Sequence, residues 1–219
     1  MKLDETTITI LKNFQTINPS IQIDEGNVIL TKSPTGTIAA MATVQNDFPR
    51  TFAIYELKRF LSVANMFKDG EIEFDETFLT FRDGKKSLRY TYCDPVTIMI
   101  PKKRPDKFEP ETVFFEFTLT AEMLKEALAG MNVLGHEGIV IKGKDGKLVI
   151  TTSSQTNADS FALDIGETDK DFAFMLESQK LNLIPKDYLV SLSRKRFLHL
   201  DSDDLQYWIA AHKSSYVNE

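Results

Sequence analysis

The chain of 219 residues contains a single cysteine, Cys93. One thiol excludes an internal disulfide and a zinc site built from several cysteines. Long hydrophobic runs are also lacking, because the start of the chain has no apolar stretch of signal-peptide length and no segment approaches the roughly 20 apolar residues of a membrane helix. These absences predict an intracellular protein that is not inserted in a membrane.

Motifs of the common enzyme classes are missing as well. The chain has no G-x-x-x-x-G-K-[ST] phosphate loop, no glycine-rich dinucleotide turn after a strand and no G-x-S-x-G nucleophile elbow. His136, His199 and His212 lie in unrelated settings without the spacing of metal ligands. We therefore expect a binding protein that has no catalytic residues, no metal and no cofactor.

One acidic cluster has two interpretations. Asp201, Asp203 and Asp204 could form a group of carboxylates that binds a metal. They also stand between two alternating segments, where a hairpin turn favours such residues. The turn is the simpler explanation.

The most informative feature that is present is a unit repeated four times, a helix followed by a meander of alternating strands. A short Phe-rich strand precedes three of the four copies. Internal repeats define architecture that local propensity cannot, and four copies predict two similar domains with two copies each. The expected helices are Glu5–Ile17, Tyr55–Phe67, Ala121–Val133 and a short one near Gln179–Ile184.

Three of the four expected helices agree in the spacing of the positions on their apolar face, which fall at i, i+3, i+4 and i+7, whereas the fourth offers only Leu181 and Ile184 before Pro185. This spacing packs one face on a sheet and leaves the opposite face to solvent or a ligand. Asp-Gly dipeptides at 83–84 and 145–146 are typical of tight hairpin turns. The predicted fold class is therefore α+β. In the second copy the apolar positions are Leu57, Phe60, Leu61 and Ala64.

Length and composition fit two domains. Apolar residues make up 42% of the chain and 16 residues are Phe, which is enough to fill two cores. Asp94–Thr112 holds four of the eight prolines and the charged stretch 102–107. We expect domains at 1–94 and 113–219, joined by a connector at 95–112. The charged stretch could be a nuclear-targeting signal, although a solvated linker is the more ordinary interpretation.

Two segments resemble the sliding clamps of T-even-type bacteriophages: LKNFQTIN at 11–18 and FAIYEL at 52–57. The arrangement of four repeats, each a helix followed by a meander of strands, resembles these clamps as well. These clamps are DNA polymerase processivity factors, and the similarity covers nearly the whole chain, in the second half mainly as pattern. The resemblance implies the DNA-clamp fold and a closed ring of three subunits whose helices surround duplex DNA. It also implies a DNA polymerase and an ATP-dependent clamp loader as partners, and the host cytoplasm as location if the protein is phage-encoded.

A ring that holds DNA through phosphate contacts needs Lys and Arg on the helix faces away from the apolar stripes. Acidic residues on the same helices nearly cancel these cations, and the whole chain has a net charge of −6. This balance counts against a conventional DNA-binding domain but suits a topological tether, which slides better when its contacts are weak. The DNA-facing candidates are Lys12, Lys58, Arg59, Lys68, Lys125 and Lys180.

The resemblance also implies a hydrophobic pocket for a short partner peptide, bounded by the connector and the end of the chain. Such a pocket would bind a short segment of a polymerase or of another protein that works with the clamp. In phages of this kind the clamp also activates late transcription. The residues expected to line the pocket are Met41, Val44, Val96, Ile98, Ile100, Trp208 and Ile209. Each of them could instead be an ordinary strand or core residue.

Subunits of such a ring would join edge strand to edge strand, since ring closure removes unpaired edges. The expected edges lie around 78–82 in the second copy and around 161–165 in the third. The alternative function is a non-catalytic structural ring or assembly protein that does not bind DNA. Cations on all four expected helices favour the clamp.

Overall fold

In a computed structural model, which describes residues 1–101, 109–154, 156 and 158–218, the chain divides into two compact units. Unit 1 is Met1–Pro105 and unit 2 is Asp106–Glu219. This boundary falls within the segment expected to connect two domains, whose own limits stay a prediction. The charged stretch 102–107 lies outside the described residues. In the ranges given, no helix is long and apolar enough to cross a membrane.

The described part of unit 1 has two α-helices, α1 (Glu5–Ile17) and α2 (Leu57–Met66), and a 3-10 turn at Pro95–Thr97. Its strands form three antiparallel groups: β1 pairs with β4, β2 pairs with β3, and β5, β6 and β7 form a sheet in that order. The strands are β1 (Ile21–Ile23), β2 (Gly26–Lys32), β3 (Ile38–Phe48), β4 (Phe52–Ile54), β5 (Glu71–Phe74), β6 (Phe78–Asp83) and β7 (Lys86–Thr91).

Both helices of unit 1 follow from local sequence. Asp4 caps α1, because its carboxylate accepts a hydrogen bond from the Thr7 N–H at 2.9 Å. The predicted apolar stripe of α2 is buried, and the ring of Phe60 lies 5.8 Å from that of Phe81 and 5.6 Å from that of Tyr90. α1 packs against α2 and β3. The helices thus cover the sheets with one face and expose the other.

Unit 2 has one α-helix in its described part, α3 (Ala121–Leu134). One antiparallel sheet has the strand order β11-β10-β9-β12-β16, and in a second group β8, β13, β14 and β15 pair in that order. The strands are β8 (Val113–Leu119), β9 (Gly138–Lys144), β10 (Lys147–Ser153), β11 (Ala162–Glu167), β12 (Phe172–Glu177), β13 (Tyr188–Ser193), β14 (Phe197–Asp201), β15 (Leu205–Ala210) and β16 (Tyr216–Val217).

Turn chemistry explains where the elements of unit 2 end. α3 begins after Thr120, whose hydroxyl accepts from the Met123 N–H, and stops at Gly135, whose φ of 65° suits glycine. The predicted hairpin between β9 and β10 is confirmed, with Asp145 and Gly146 both at positive φ. The Asp-rich segment after β14 is likewise a turn, closed by a hydrogen bond from the Ser202 N–H to the Leu205 carbonyl.

The fourth predicted helix is wrong. The segment contains only a 3-10 turn at Ser178–Lys180 and then runs without helix to β13. Leu181 and Leu183 are both buried, a spacing of two that fits extended chain rather than a helix. Pro185 then prevents a continuing helix, because it lacks an N–H and its ring clashes with the preceding turn. Three copies therefore have an α-helix, and the fourth has a single turn in its place.

Candidate functional site

The first candidate surface is the exposed face of α1, opposite its buried stripe. Lys12 lies on this face, and Glu5 lies two turns before it on the same face. The two charges offset each other, so hydroxyl groups dominate the surface. The exposed residues, at i, i+4, i+7 and i+11, are Glu5, Thr9, Lys12 and Thr16.

The exposed face of α2 is more basic. Lys58 and Arg59 are exposed next to each other in its first turn, and exposed Lys68 follows the end of the helix. The helix Leu57–Met66 contains no acidic residue, although Glu56 stands at the position before it. The remaining exposed residues of α2 carry no charge. No acidic residue within the helix therefore offsets its two cations.

An open cleft of about 730 Å³ lies between α1 and the end of α2. Two of its acidic residues have partners in the fold: Asp4 caps α1, and Asp69 lies 3.4 Å from the Lys2 ammonium. The cleft therefore brings Lys12 of α1 and Lys68, which follows the end of α2, onto one surface of unit 1. Its lining consists of Lys2, Leu3, Asp4, Glu5, Ile8, Thr9, Lys12, Asn65, Lys68 and Asp69.

The helix of unit 2 carries more acidic than basic residues, the opposite of α2. Lys125 is exposed on α3, but Glu122 and Glu126 are exposed on the same helix. Two acids thus accompany one base over the length of α3. The surface of α3 is weakly acidic, whereas that of α2 is basic.

Lys180 does not belong to an exposed surface. Its side chain is 10% exposed, and its ammonium lies 2.6 Å from a carboxylate oxygen of Glu177 and 3.2 Å from the carbonyl oxygen of Ala210. The hydrogen bond from Lys180 lowers the pKa of the Glu177 carboxyl, although burial acts in the other direction. Lys180 thus links the end of β12 to the end of β15, and we remove it from the DNA-facing candidates.

The connector contributes an exposed apolar strip within unit 1. Two hydrogen bonds fix its backbone: the Asp94 carboxylate accepts from the Val96 N–H at 3.0 Å, and the Asn18 side-chain amide donates to the Met99 carbonyl at 3.3 Å. The side chain of Val96 is 86% exposed, and the other two members are half-buried. An apolar strip on an ordered backbone can receive another chain. Its members are Val96, Ile98 and Ile100.

The other residues expected in the peptide pocket are buried. Met41 and Val44 on β3 are core residues, and Ile209 on β15 has no exposed surface. Trp208 is 8% exposed and its ring stacks on His199, with the ring centres 4.7 Å apart. Adjacent strand residues point to opposite faces, so Trp208 and Ile209 cannot line one surface together. Within unit 1, the apolar strip is the accessible part of the expected pocket.

Two of the terminal strands are candidates for joining subunits. β7 ends the three-stranded sheet of unit 1 on the side opposite β5, and β11 ends the five-stranded sheet of unit 2 on the side opposite β16. The expected edge at 78–82 is wrong, because β6 is the central strand between β5 and β7. The expected edge at 161–165 overlaps β11. β7, the last strand before the connector, is a terminal strand of that sheet and takes the place of β6 as the candidate edge.

The two edges have complementary chemistry. Each alternates half-buried apolar side chains with exposed polar or charged ones, but the charges differ in sign. The Arg89 guanidinium of β7 lies 3.9 Å from the centre of the Phe78 ring, which holds it on one face of the sheet. One edge is thus basic and the other acidic. The half-buried residues are Leu88, Tyr90, Leu163 and Ile165; the exposed charged ones are Lys86, Arg89, Asp164 and Glu167.

A second open cleft, of about 390 Å³, lies beside β7 at the start of α2. Exposed Tyr55 and Arg59 line one side and Tyr90 lines the other. The Tyr90 hydroxyl donates to the Glu56 carbonyl at 3.3 Å, and burial raises the pKa of this hydroxyl, partly offset by Arg59. The cleft offers room for a side chain of another chain that approaches the β7 edge.

Both halves of the chain match known families. Residues 2–100 match a family described as DNA polymerase processivity factor, and residues 116–213 match one described as gp45 sliding clamp, C terminal. The chain is 32% identical to the sliding clamp of Vibrio phage KVP40, over 96% of this chain and 98% of that protein. It is 30% identical to the sliding clamp of Escherichia phage RB69, over 98% of both.

Solved structures extend the likeness of fold beyond phages. The structure of A. fulgidus PCNA with the C-terminal region of FEN-1 bound superimposes with a TM-score of 0.68, covering 95% of this chain and 96% of that one. Sequence identity is 12%, so this likeness concerns the fold alone. The predicted α+β clamp fold of two similar domains is thereby confirmed.

Proposed function

This chain belongs to the sliding-clamp family of T-even-type bacteriophages, and we propose that it closes around duplex DNA as a ring of three copies that tethers a replicative DNA polymerase. The match along both halves of the chain, to processivity factors and to sliding clamps, carries the proposal. A tether of this kind makes synthesis processive without catalysing it.

The helix faces carry little net positive charge. This supports a ring that stays on DNA because it encloses the duplex, rather than because it binds the phosphates tightly. Phosphate contacts give affinity that falls steeply with salt, and they slow movement along DNA. A net charge of −6 and helix faces with few uncompensated cations keep such contacts weak. A closed ring stays on DNA by linkage, so weak contacts allow it to slide while the polymerase moves.

The two edge strands support assembly. Pairing of β7 in one copy with β11 in the next would place basic against acidic side chains and would bring the half-buried apolar residues of both strands together. Because the two edges differ, the contact is head-to-tail, and such contacts form a ring when the rotation closes. Family membership supports three copies as the number at closure.

The apolar strip of the connector supports docking of a partner peptide. We place on it a short segment of the DNA polymerase, and of other replication or transcription proteins that use the same clamp, including those of late transcription. An ATP-dependent loader would open the ring, a role that fits a chain without a nucleotide-binding motif of its own. These partners follow from the family and from the accessible surface of the strip.

The oligomeric state tests the assembly. Sedimentation or light scattering across concentration is expected to give a mass of three times the 24.9 kDa of the chain, in equilibrium with monomer on dilution. Edge-to-edge contacts of a few strands dissociate readily, which explains the expected equilibrium. A monomer that persists at about 100 µM, where a contact with a dissociation constant of about 1 µM would be almost fully formed, would contradict the proposal.

A further inference from the structure

We propose that a basic patch around one hairpin turn of unit 2 binds an acidic segment of a partner protein. The inference rests on the proposed function, because a tether needs partners, and it adds a docking surface separate from the apolar strip. The turn between β13 and β14 exposes three consecutive cations, and a fourth follows β15. The members of this basic patch are Arg194, Lys195, Arg196 and Lys213.

Hydrogen bonds fix the backbone of the turn. The Arg196 N–H donates to the Ser193 carbonyl at 2.8 Å, and the Lys195 N–H donates to the Ser193 hydroxyl at 3.2 Å. The Arg194 N–H donates at 3.0 Å to the carbonyl of Thr112, the last residue of the expected connector. The charges therefore stand on an ordered backbone, at the point where the connector enters unit 2.

The fold also orients two arginine side chains. The Arg194 guanidinium lies 5.3 Å from the centre of the Phe114 ring, and the Arg196 guanidinium donates to the Lys213 carbonyl at 3.1 Å. The second contact brings the backbone of Lys213 next to the turn. A guanidinium presents its donors in a planar fork that matches a carboxylate, and an oriented fork loses less freedom on binding. The two arginines therefore suit the carboxylates of Asp and Glu side chains.

Unit 2 does not neutralise the charge of the patch. Lys195, Arg196 and Lys213 take part in no ion pair with another residue of the described chain. One exposed acid, Glu111, precedes Thr112, and the four cations outweigh it. The patch therefore presents net positive charge to a partner, although the chain as a whole is acidic.

Arg196 occupies a backbone position that favours glycine. Its φ is 63°, in the left-handed region where residues with a Cβ are uncommon. Three-residue hairpin loops usually place Gly at this position. A non-glycine residue there costs stability, and such strain is typical of positions retained for function. The presence of Arg196 therefore favours a role for its charge.

The position of the patch favours a protein partner over the encircled duplex. α3 packs mainly on β9, β10 and β11, whereas the turn belongs to the other sheet of unit 2. β13 starts opposite Leu119, directly before α3, and the turn follows its other end, roughly 20 Å away at about 3.3 Å per residue. Phe197, directly after the turn, is 41% exposed and adds apolar surface. An acidic peptide that also carries an apolar residue fits this combination.

A variant that removes two charges tests the inference. Lys195→Gln/Arg196→Gly takes two cations from the patch and gives the strained position the residue that its backbone favours. The probe is a fluorescein-labelled peptide of about ten glutamates that ends in leucine, since arginine clusters recognise acidic motifs. By fluorescence anisotropy at low salt, we expect binding at least about fivefold weaker than to the unchanged protein. The melting temperature should not fall, because glycine relieves the backbone strain.

Lys85→Gln/Lys125→Gln is the matched control. Both lysines are exposed and lie outside the patch, one in the hairpin turn before β7 and one on α3, so the same loss of charge is made elsewhere. Peptide binding should be unchanged in this control. The inference is overturned if Lys195→Gln/Arg196→Gly binds the peptide as the unchanged protein does, or if the control loses as much binding.

Nucleic acid is the competing occupant of a basic surface. A labelled duplex oligonucleotide, added without a clamp loader, is therefore measured with the same proteins. Tighter binding of the duplex than of the peptide, lost in Lys195→Gln/Arg196→Gly, would overturn the inference in favour of a DNA contact. This variant should still be retained on circular DNA, because the patch does not close the ring. Failure of the unchanged protein to stay on circles would count against the proposed function and not against the patch.

Discussion

Replacing Arg89 by Glu is expected to convert the protein from a trimer into a monomer at a concentration at which the unchanged protein is trimeric. Arg89 is exposed on the β7 edge, and the proposed partner strand β11 exposes Asp164 and Glu167. The substitution places like charges across the contact, which costs several kcal/mol at an interface. A ring of three contains three such contacts, so the effect on assembly is multiplied. Sedimentation at fixed concentration measures it.

Two further variants make this result specific. Lys85→Glu makes a similar charge change in the exposed hairpin turn before β7 and is expected to leave the trimer intact. Adding Asp164→Lys and Glu167→Lys to Arg89→Glu restores opposite charges and is expected to restore assembly. The folded monomer should melt nearly as before, since loss of the cation–π contact with Phe78 costs about 0.5–1 kcal/mol. A trimeric Arg89→Glu protein would show that β7 is not the joining edge.

Replacing Val96 by Asp is expected to abolish stimulation of the cognate polymerase while the ring still forms. Val96 is 86% exposed, so the charge does not disturb the core. Docking of a short peptide depends on a few apolar anchors, and the loss of one costs about 2 kcal/mol or more, which is a roughly 30-fold loss of affinity. Binding of a peptide from the polymerase, followed by fluorescence anisotropy, measures the effect directly.

Val133→Asp is the matched control. Val133 is 85% exposed at the end of α3, so the same chemical change is made at equal exposure and away from the strip. Peptide binding should be unchanged in this variant. Ile98→Asp, at a half-buried position, should also lose binding, with a melting curve to show that it folds. Normal peptide binding by both Val96→Asp and Ile98→Asp would remove the strip from the docking site.

Trp208→Ala does not serve the same purpose. Its ring is buried against His199, and deletion of a buried aromatic side chain costs about 3–5 kcal/mol of stability. We therefore expect a lower melting temperature in this variant, and any loss of polymerase stimulation would follow from damage to unit 2. The exposed residues of the connector give the cleaner test.

The parts of the fold that sequence predicted well depend on neighbouring residues. The bounds of α1 were predicted correctly at both ends, because Asp4 caps its start and the apolar spacing defines its face. The hairpin at Asp145 and Gly146 was equally clear, since Asp-Gly favours the positive φ that the turn needs. Local rules are enough where helix caps and turn residues decide the structure.

The parts that it missed depend on residues distant in the chain. Lys180 looks like a helix cation by position, but its ammonium binds the carbonyl of Ala210, 30 residues later. The joining edge of unit 1 was expected on β6, which is the central strand of its sheet, because the order of strands depends on pairing partners that the sequence of one strand does not reveal. Likewise, burial of Ile209 and exposure of Val96 follow from tertiary packing, which apolar character alone does not predict.

The central claim, that the protein encircles DNA, is tested most directly by comparing closed and open DNA. The protein would be loaded by its cognate loader on a nicked circle, freed of unbound protein, and followed with and without a single cut that linearises the circle. We predict that it stays on the intact circle and is lost rapidly after the cut, because a ring slides off a free end. Equal loss from circular and linear DNA would contradict encirclement and would favour a structural ring that does not bind DNA.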